Sequence, residues 1–516
     1  MTIKTERKAI IDIGSNTIRL VVYSYNSSQG LVEHHNFKTV ARLSMYIMKN
    51  GNLSADGINV LIDTLTKFKE ILLDIHVKDV FVAATAAIRQ ARNQTEILEL
   101  VKNDVGFNLQ ILSEEQEAYF GYFAVIHSTN ISNAVTIDMG GGSTEVTYFK
   151  DKKIIHFHSF SFGAVSLKGK FIKGTTITHE EKLELIEYVS EQFHSLGWLN
   201  QLHVPIVTIG GSARNLALVD QQRKSFPLNG IHQYELKNED LQEISFMFAQ
   251  YSLDGLKKID GLSSDRSDII VPALETFRTF MEVVDAPLMV YSKKGLREGI
   301  IFSQLAERFP EDFNKNEVTK KSIRHILGKF HVNEEEVSHL YDIFQKIYLS
   351  FVHWKYIDPI ENDEFLFYAY QLYHIGKHID QDAVSQHTFY LITNLSIDGI
   401  SNEERLKFAL LASYQNRDTF KRYVNSLPSY LNEREFKQLR DIGALFKFTK
   451  GLDILSRSTI NDVLLENLAS EITITFVVSN NYMLEKYQAE KLKKHVGKIC
   501  SKDVLVEFKI SEEKAT

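Results

Sequence analysis

The stretch TIDMGGGSTEVTYF, Thr136 to Phe149, places two acids, Asp138 and Glu145, on either side of three consecutive glycines. Glycine runs weaken strands, because they cost backbone entropy and supply no packing. A loop of this kind suits an anion and a cation together. Exposed backbone N–H groups bind phosphate oxygens, and glycine removes the side chains that would hold them off. A carboxylate at the strand end can hold Mg²⁺, directly or through water. Working outward, the same plan opens the chain. AIIDIGSNTIRLVVYSY and VTIDMGGGSTEVTYFK both read strand, acid, glycine turn, Ser or Thr, then a second strand. A third extended run follows each, LVEHHNFKTV after the first and KKIIHFHSFSFG after the second. Two copies of a three-strand meander indicate an internal duplication. Two such loops facing one another would grip a phosphate chain from both sides, which makes the cleft between two similar lobes the expected site.

The material around the meanders is α/β. SADGINVLIDTLTKFKEILLDI has helical spacing after a Ser54 N-cap, and DVFVAAT runs as a strand into AAIRQARN. FNLQIL is another strand, and SEEQEAYFGYFAVIHS a helix capped by Ser113. PIVTIGGSARNLA is again strand, glycine turn, helix. Strands alternating with helices imply sheets covered by helices. From about Glu307 to Leu455 the pattern is almost continuous helix, and the tail reads strand, helix, strand.

Bulk properties bound the rest. A chain of 516 residues argues for three or four domains, at roughly 100–200 residues each. The net charge is −7, so a polyanionic partner must be met by local basic clusters. Cys500 is the only cysteine, which excludes an intrachain disulfide and suits a reducing compartment. No segment approaches the ~20 apolar residues of a spanning helix, and no signal-peptide core opens the chain. The expectation is a soluble cytoplasmic protein.

The set IDIGSNTIRLVVY, VARLSMYIMKNGNLS, AATAAIRQARN, LSEEQEAYFGY, IDMGGGSTE, SFGAVSL, DRSDIIVPALE and GLREGI resembles, in content and order, the exopolyphosphatase and guanosine pentaphosphate phosphohydrolase (Ppx/GppA) family. The resemblance covers roughly the first 300 residues. It implies an α/β fold of two ribonuclease-H-like lobes, of the actin, sugar kinase and Hsp70-like type. Residues 1–126 would form lobe I and 127–306 lobe II, followed by a helical, degenerate HD-like domain over 307–455 and a small α+β domain over 456–516. The activity it implies is Mg²⁺-dependent release of terminal orthophosphate from inorganic polyphosphate, with guanosine pentaphosphate (pppGpp) as the alternative substrate. A non-catalytic regulator that binds polyphosphate or alarmone is a rival, as is a sugar kinase or Hsp70-like ATPase. Retention of the acids disfavours the former, and the GSNT and GLREG pieces disfavour the latter. A homodimer, with no nucleic acid or membrane partner, is expected.

Hydrolysis of a phosphoanhydride needs an in-line water, charge neutralisation on the transferring group, and a residue that orients or deprotonates the water. By resemblance that residue is Glu117, rather than its neighbours Glu114 and Glu115. Spacing back from the second glycine loop falls nearer Gln116, so a one-residue deletion is assumed. The family's usual Gly after Ser113 is Glu114 here. Asp138 and its first-lobe counterpart Asp12 would hold Mg²⁺, and Glu145 would position water or share the ion. Ser15, Asn16, Gly140, Gly141, Gly142, Ser143 and Thr144 would contact phosphate. Arg89, with Thr85 beside it, is the principal cationic candidate, because a guanidinium fork matches phosphate oxygens. Arg19 and Arg42 are weaker candidates. Gly210, Gly211 and Ser212 form a further turn at a helix start, and Arg297 and Glu298 are expected to brace the lobe joint. In the helical region the HD step reads His374-Ile375. Isoleucine cannot ligate a metal, so no HD centre is expected there, and His339, His374, His378 and His387 are read as core or surface residues. The basic runs KNEVTKKSIRHILGKFH and EKLKKHVGK could contact a long polyanion.

Overall fold

The computed structural model describes residues 6–425, 427, 431–479 and 481–511. The chain forms two compact units. The first comprises the residues up to Phe226, Ile231–Ser322 and the short segment Asp398–Ile400. The second comprises Pro227–Gly230, Ile323–Ile397 and the chain from Ser401.

The first unit contains the duplication. Strands β1 (Glu6–Ile13), β2 (Thr17–Asn26) and β3 (Gly30–Val40) form an antiparallel meander. Helix α1 (Ala55–Asp74) leads to β4 (Val80–Ala84), which pairs parallel to β1. The Ser54 hydroxyl accepts from Gly57 N, and Ile58, Leu61, Leu65, Phe68 and Leu72 turn one buried face to the sheet. Short helices α2 (Ala86–Arg89) and α3 (Gln94–Leu100) precede β5 (Leu109–Ile111), and α4 (Glu114–Ile126) closes the half. The sheet order is β3-β2-β1-β4-β5.

The second half repeats it. Strands β6 (Ala134–Met139), β7 (Thr144–Lys150) and β8 (Lys153–Phe160) form the second meander, followed by α5 (Ala164–Phe171) and α6 (His179–His194). Next come β9 (Ile206–Ile209), α7 (Gly211–Arg223), β10 (Tyr234–Leu236), α8 (Asn238–Phe248), α9 (Leu253–Leu256), α10 (Ile270–Val284), β11 (Met289–Tyr291) and α11 (Leu296–Arg308). The order β8-β7-β6-β9-β11 matches the first sheet strand for strand, with β10 added at the edge. Both β6–β9 and β9–β11 pair in parallel, as β1–β4 and β4–β5 do. Each sheet has its own core, around Ile11, Leu20, Leu61 and Ile88 in one and Ile137, Val146, Phe193 and Phe277 in the other.

The last helices of the halves exchange sheets. Helix α4 packs Tyr122, Val125 and Ile126 on Ala134, Phe149, Val207 and Ile209 of the second sheet. Helix α11 packs Ile300, Ile301, Phe302 and Leu305 on Ile10, Val21 and Tyr23 of the first. The two helices meet at Gly299, where a Cβ would lie 1.8 Å from the Phe120 carbonyl oxygen, so glycine alone permits the crossing. Glu298, beside it, accepts from Tyr23 Oη at 2.8 Å and from Gly295 N at 3.0 Å.

Helix α12 (Val318–Lys329) leads into the second unit. There follow α13 (Glu334–His353), α14 (Asp363–Gln371), α15 (Val384–Asn394), α16 (Asn402–Ala412), α17 (Arg417–Asn425) and α18 (Glu433–Lys450), with Phe344 of α13, Tyr370 of α14 and Phe446 of α18 packed on one another. His374 stacks on Tyr373 at 3.9 Å, and Ile375 is buried. Burial and the nearby Lys447, Lys450 and Lys377 push the His374 imidazole down to about 4. The terminal sheet is β12 (Ile460–Asn467), β13 (Glu471–Val478) and β14 (Asp503–Ile510), with α19 (Met483–Cys500) between the last two. Strand β12 is an addition to the expected strand–helix–strand tail. Its sequence INDVLLEN lacks the β-branched run that marks β13, and it becomes a strand by antiparallel pairing with β13. No helix among the described residues is long and apolar enough to cross a membrane.

Candidate active site

The two hairpins are built to one length. Asp12 lies directly opposite Arg19 in the first, and Asp138 directly opposite Glu145 in the second. The rows continue onto the third strands, where Arg19 pairs with Lys38 and Glu145 with Ser159. The pseudo-equivalent rows are therefore Asp12, Arg19, Lys38 and Asp138, Glu145, Ser159. One carries cations where the other carries an acid and its hydrogen-bond donor.

The hairpin loops touch. A Cβ on Gly141 would stand 3.2 Å from Ser15 Cβ, and one on Gly142 would stand 3.1 Å from Ser15 Oγ. None of Gly140, Gly141 and Gly142 has a positive φ, so the glycines serve close approach rather than a left-handed turn. The loop is fixed from behind by α5, whose first amides, Ala164 N and Val165 N, donate to Gly140 O and Gly141 O at 3.0 Å each. Ser15, Asn16 and Ser143 are buried at the contact. Thr144 departs from its expected place. It is fully buried and its hydroxyl donates to Phe162 O at 2.7 Å, so the side chain fastens the loop to the start of α5 instead of facing a phosphate. Gly210, at φ 93°, opens the next turn, and a Cβ there would reach within 2.9 Å of Asp138 Oδ1. Glycine is required at Gly210 on both counts.

Helix α4 begins at Ser113 with a reciprocal capping box to Gln116, so Glu114 in place of glycine leaves the turn intact. The box commits Gln116 to the helix end and leaves Glu117 facing the cleft, its carboxylate 11% exposed. Arg89 Nη1 donates to Glu117 Oε2 at 2.7 Å and to Leu112 O at 3.0 Å, while Nη2 stands 3.9 Å from Glu145 Oε1. Arg89 thus spans the two glutamates. Thr85 is buried at the start of α2, its carbonyl accepting from Ile88 N and Arg89 N. Ser159 Oγ donates to Glu145 Oε1 at 2.9 Å.

The carboxylates share one electrostatic neighbourhood. Burial, followed by repulsion from Asp138 and Asp12, outweighs Arg89 and pushes Glu117 up to about 7. Burial, Glu117 and Asp138 hold Glu145 well above the usual range, against hydrogen bonds from Ser143 and Ser159. Burial and Asp12 push Asp138 up to about 6, against Arg297 and Arg266. Asp12 is raised by burial, against Arg297 and Arg19. Protein cations leave these acids incompletely compensated.

Donors without acceptors surround them. Asn16 Nδ2, Arg89 Nη2 and Arg297 Nη1 are buried with no hydrogen-bond partner. Arg266 lies over the Gly211–Ser212 turn, its Nη1 3.3 Å from Ser212 Oγ, and a Cβ on Gly211 would overlap its guanidinium. Arg214 and Arg266 both act on Arg19 across the cleft. Neither was assigned a role from sequence, although Arg266 stands inside the motif DRSDIIVPALE. Its relevance comes from tertiary placement. Arg42, with left-handed φ 48°, is tied to the first loop, since Ala41 N and Arg42 N both donate to Asn16 O.

Residues 22–308 match the model of the Ppx/GppA phosphatase family, and residues 318–491 that of Ppx/GppA phosphatase domain III. The chain belongs to the Ppx/GppA phosphatase family. Two curated relatives are named guanosine-5'-triphosphate,3'-diphosphate pyrophosphatase. The one from Pseudoalteromonas translucida is 22% identical over 427 residues, covering 81% of this chain and 82% of its own. That from Pseudoalteromonas atlantica is 25% identical over 411 residues, covering 78% of each. A solved Ppx/GppA family member from Aquifex aeolicus is similar at 26% identity and a TM-score of 0.53, covering 59% of this chain and 99% of its own. An exopolyphosphatase from Cytophaga hutchinsonii shares the fold at 21% identity and a TM-score of 0.55, covering 58% and 98%.

Proposed function

We propose that this phosphatase hydrolyses the terminal phosphoanhydride of inorganic polyphosphate and releases orthophosphate in an Mg²⁺-dependent reaction. The observation that carries the reading is the convergence of four charge-frustrated carboxylates, Asp12, Glu117, Asp138 and Glu145, with buried orphan donors on Asn16 and Arg89. An anionic phosphoryl chain with a cation satisfies both sets at once. Among the described residues no group of three or more His, Cys, Asp and Glu side chains is arranged as a direct ligand set. The acids instead suit an ion held by one or two carboxylates and several waters, as Mg²⁺ is. Asp138, with Asp12 opposite, would hold it. When bound it supplies charge neutralisation for the transferring group.

The chain's own residues do the rest. Glu117, its ordinary value shifted to about 7, deprotonates or orients the attacking water. Arg89 fixes the Glu117 carboxylate and offers Nη2 to phosphoryl oxygens. Glu145, held by Ser159, positions the water from the opposite side. Ser15, Asn16, Ser143 and the amides of Gly141 and Gly142 bind the terminal phosphate. Arg266 and Arg297 serve the phosphates behind it.

A second substrate, pppGpp, is favoured by the names of the relatives that match about four-fifths of the chain. Phosphate release from long-chain polyphosphate and from pppGpp, each with and without Mg²⁺, tests both. The faster release identifies the preferred substrate class. Release from neither, with binding retained, would replace the enzyme by a regulator. Glu117→Ala should lower turnover about 10²–10⁴-fold while retaining binding, since that is the range for a positioned base. Near-normal turnover would overturn the assignment.

A further inference from the structure

Three ion pairs close on one turn at the mouth of the cleft. Lys38, on β3, pairs with Asp265. Arg42, just after β3, stands 3.7 Å from Asp268, which also pairs with Lys168 of α5 at 2.7 Å. Lys38 and Arg42 belong to the first lobe, and Asp265 and Asp268 to the second. Between the two acids in sequence lies Arg266, whose guanidinium sits over Gly211 and Ser212 within the electrostatic reach of Asp265 and Asp138. Asp265 is flanked by both Lys38 and Arg266, so it has a choice of cations. Both first-lobe cations are tied to the reaction centre. Lys38 extends the cross-strand row of Asp12 and Arg19, and Arg42 hangs from the carbonyl of Asn16.

We propose that Lys38 and Arg42 are positioning residues that engage Asp265 and Asp268 across the cleft, so that the Arg266 guanidinium stays over the Gly211–Ser212 turn for substrate phosphates instead of folding onto its neighbouring acids. The inference rests on the proposed phosphoanhydride reading. Asn215 fixes the base of the turn, its Oδ1 accepting from Ser263 N at 2.6 Å and from Ser263 Oγ at 2.8 Å. Lys38 of the first lobe therefore acts on the direction of Asp265 rather than on the fold of the turn, while Asp268 is shared between Arg42 and the closer Lys168. With Lys38 removed, Arg266 still acts on Asp265, and an arginine paired with a carboxylate is a poorer phosphate ligand.

The test is a charge exchange. Lys38→Glu should raise KM for polyphosphate about tenfold with kcat within about twofold, because the change acts on binding common to ground and transition states. Lys38→Ala, which brings no reversed charge, should raise it about threefold, as a part-exposed pair allows. The double variant Lys38→Glu/Asp265→Lys should return KM to within about threefold of wild type, a coupling that two independent surface changes do not show. A KM unmoved by Lys38→Glu, or a double variant whose effects simply multiply, overturns the proposal. Calorimetric affinity for tripolyphosphate in the same proteins separates the two readings. If wild type releases no phosphate, the proposed activity fails, while the rescue of tripolyphosphate binding still decides the role of Lys38.

Discussion

Gly163→Ala is the sharpest perturbation of the second phosphate loop that touches no catalytic side chain. Gly163 precedes α5 with φ −148° and ψ −176°, extended backbone that alanine adopts freely, so the substitution acts by steric contact alone. A Cβ there would lie 2.6 Å from Gly140 O, 2.7 Å from Gly141 C and 2.8 Å from Gly142 N. Ordinary carbon contacts begin at about 3.5 Å, so the loop or the helix start must retreat by about 0.8 Å. Overpacking of this kind costs about 1–3 kcal/mol. For a unit of this size that is a fall in Tm of about 1.5–4.5 °C. The larger effect is on chemistry, since misplacing a substrate-positioning element by about 1 Å can cost 10²-fold in rate. Expected is a 30–100-fold loss of kcat/KM, at the order-of-magnitude level of that relation. Gly169→Ala is the internal control. It lies on the same helix, and a Cβ there meets nothing within 4 Å. It should gain about 0.5–1 kcal/mol from helix propensity and leave turnover unchanged. Phosphate release and thermal melts on the two variants read the difference. Gly163→Ala with more than half of wild-type kcat/KM would refute the argument that the loop is held by this contact.

Arg89→Met should move the acidic limb of the kcat/KM profile upward from near pH 7, because the base must be ionised and Arg89 is what opposes its burial; an unmoved limb would remove Glu117 as the titrating group. Asp138→Asn should raise the Mg²⁺ concentration needed for half-maximal release, and an unchanged titration would count against a metal role. Asp398, buried but held down to about 2 by Lys294, His232 and Lys321, contributes stability above its unfolded value that is lost as pH falls toward 2. Asp398→Asn should accordingly cost about 2 kcal/mol at pH 7, with the gap in melting closing in acid, and a pH-independent gap would refute the charge argument. Glu145 is raised, so it opposes folding increasingly as pH climbs above its unfolded value. Glu145→Gln should melt higher than wild type at pH 8, lose the advantage below pH 4, and turn over more slowly; a melting gap that does not change with pH would refute the argument.

The duplicated meander was legible because its requirements are local. An acid at a strand end, a glycine loop and a returning strand are written in adjacent residues, and the sheets repeat in the order that pattern implies. The Ser54 and Ser113 caps were legible for the same reason. Glu117 could be placed only by resemblance, and the capping box that directs Gln116 away from the cleft appears once the helix is built. Thr144 looked like a loop residue, but the first position of β7 turns its hydroxyl to Phe162. Arg266, Arg214 and the partners of Lys38 were beyond reach. Their roles depend on residues distant in the chain that only the folded lobes bring together. Strand β12 was missed because its pairing partner, rather than its own composition, makes it a strand.

The duplication explains more than shape, because its symmetry is broken where chemistry requires it. A hairpin that places Asp138 directly opposite Glu145 sets like charges side by side, an arrangement that opposes sheet formation. The first hairpin avoids this with Arg19 opposite Asp12. The second keeps the acids and offsets them from outside, through Arg89, Ser143 and Ser159. These partners hold Glu145 in place without lowering it to the ordinary carboxylate range, so the repulsion survives folding. A site whose acids were fully neutralised by protein would have no use for a ligand cation and little basicity for water. The first lobe's row supplies positive charge for the phosphate chain, and the second lobe's row supplies acids for water and ion. One ancestral hairpin therefore suffices for both halves of a phosphoryl-transfer site, provided one position in the row changes sign.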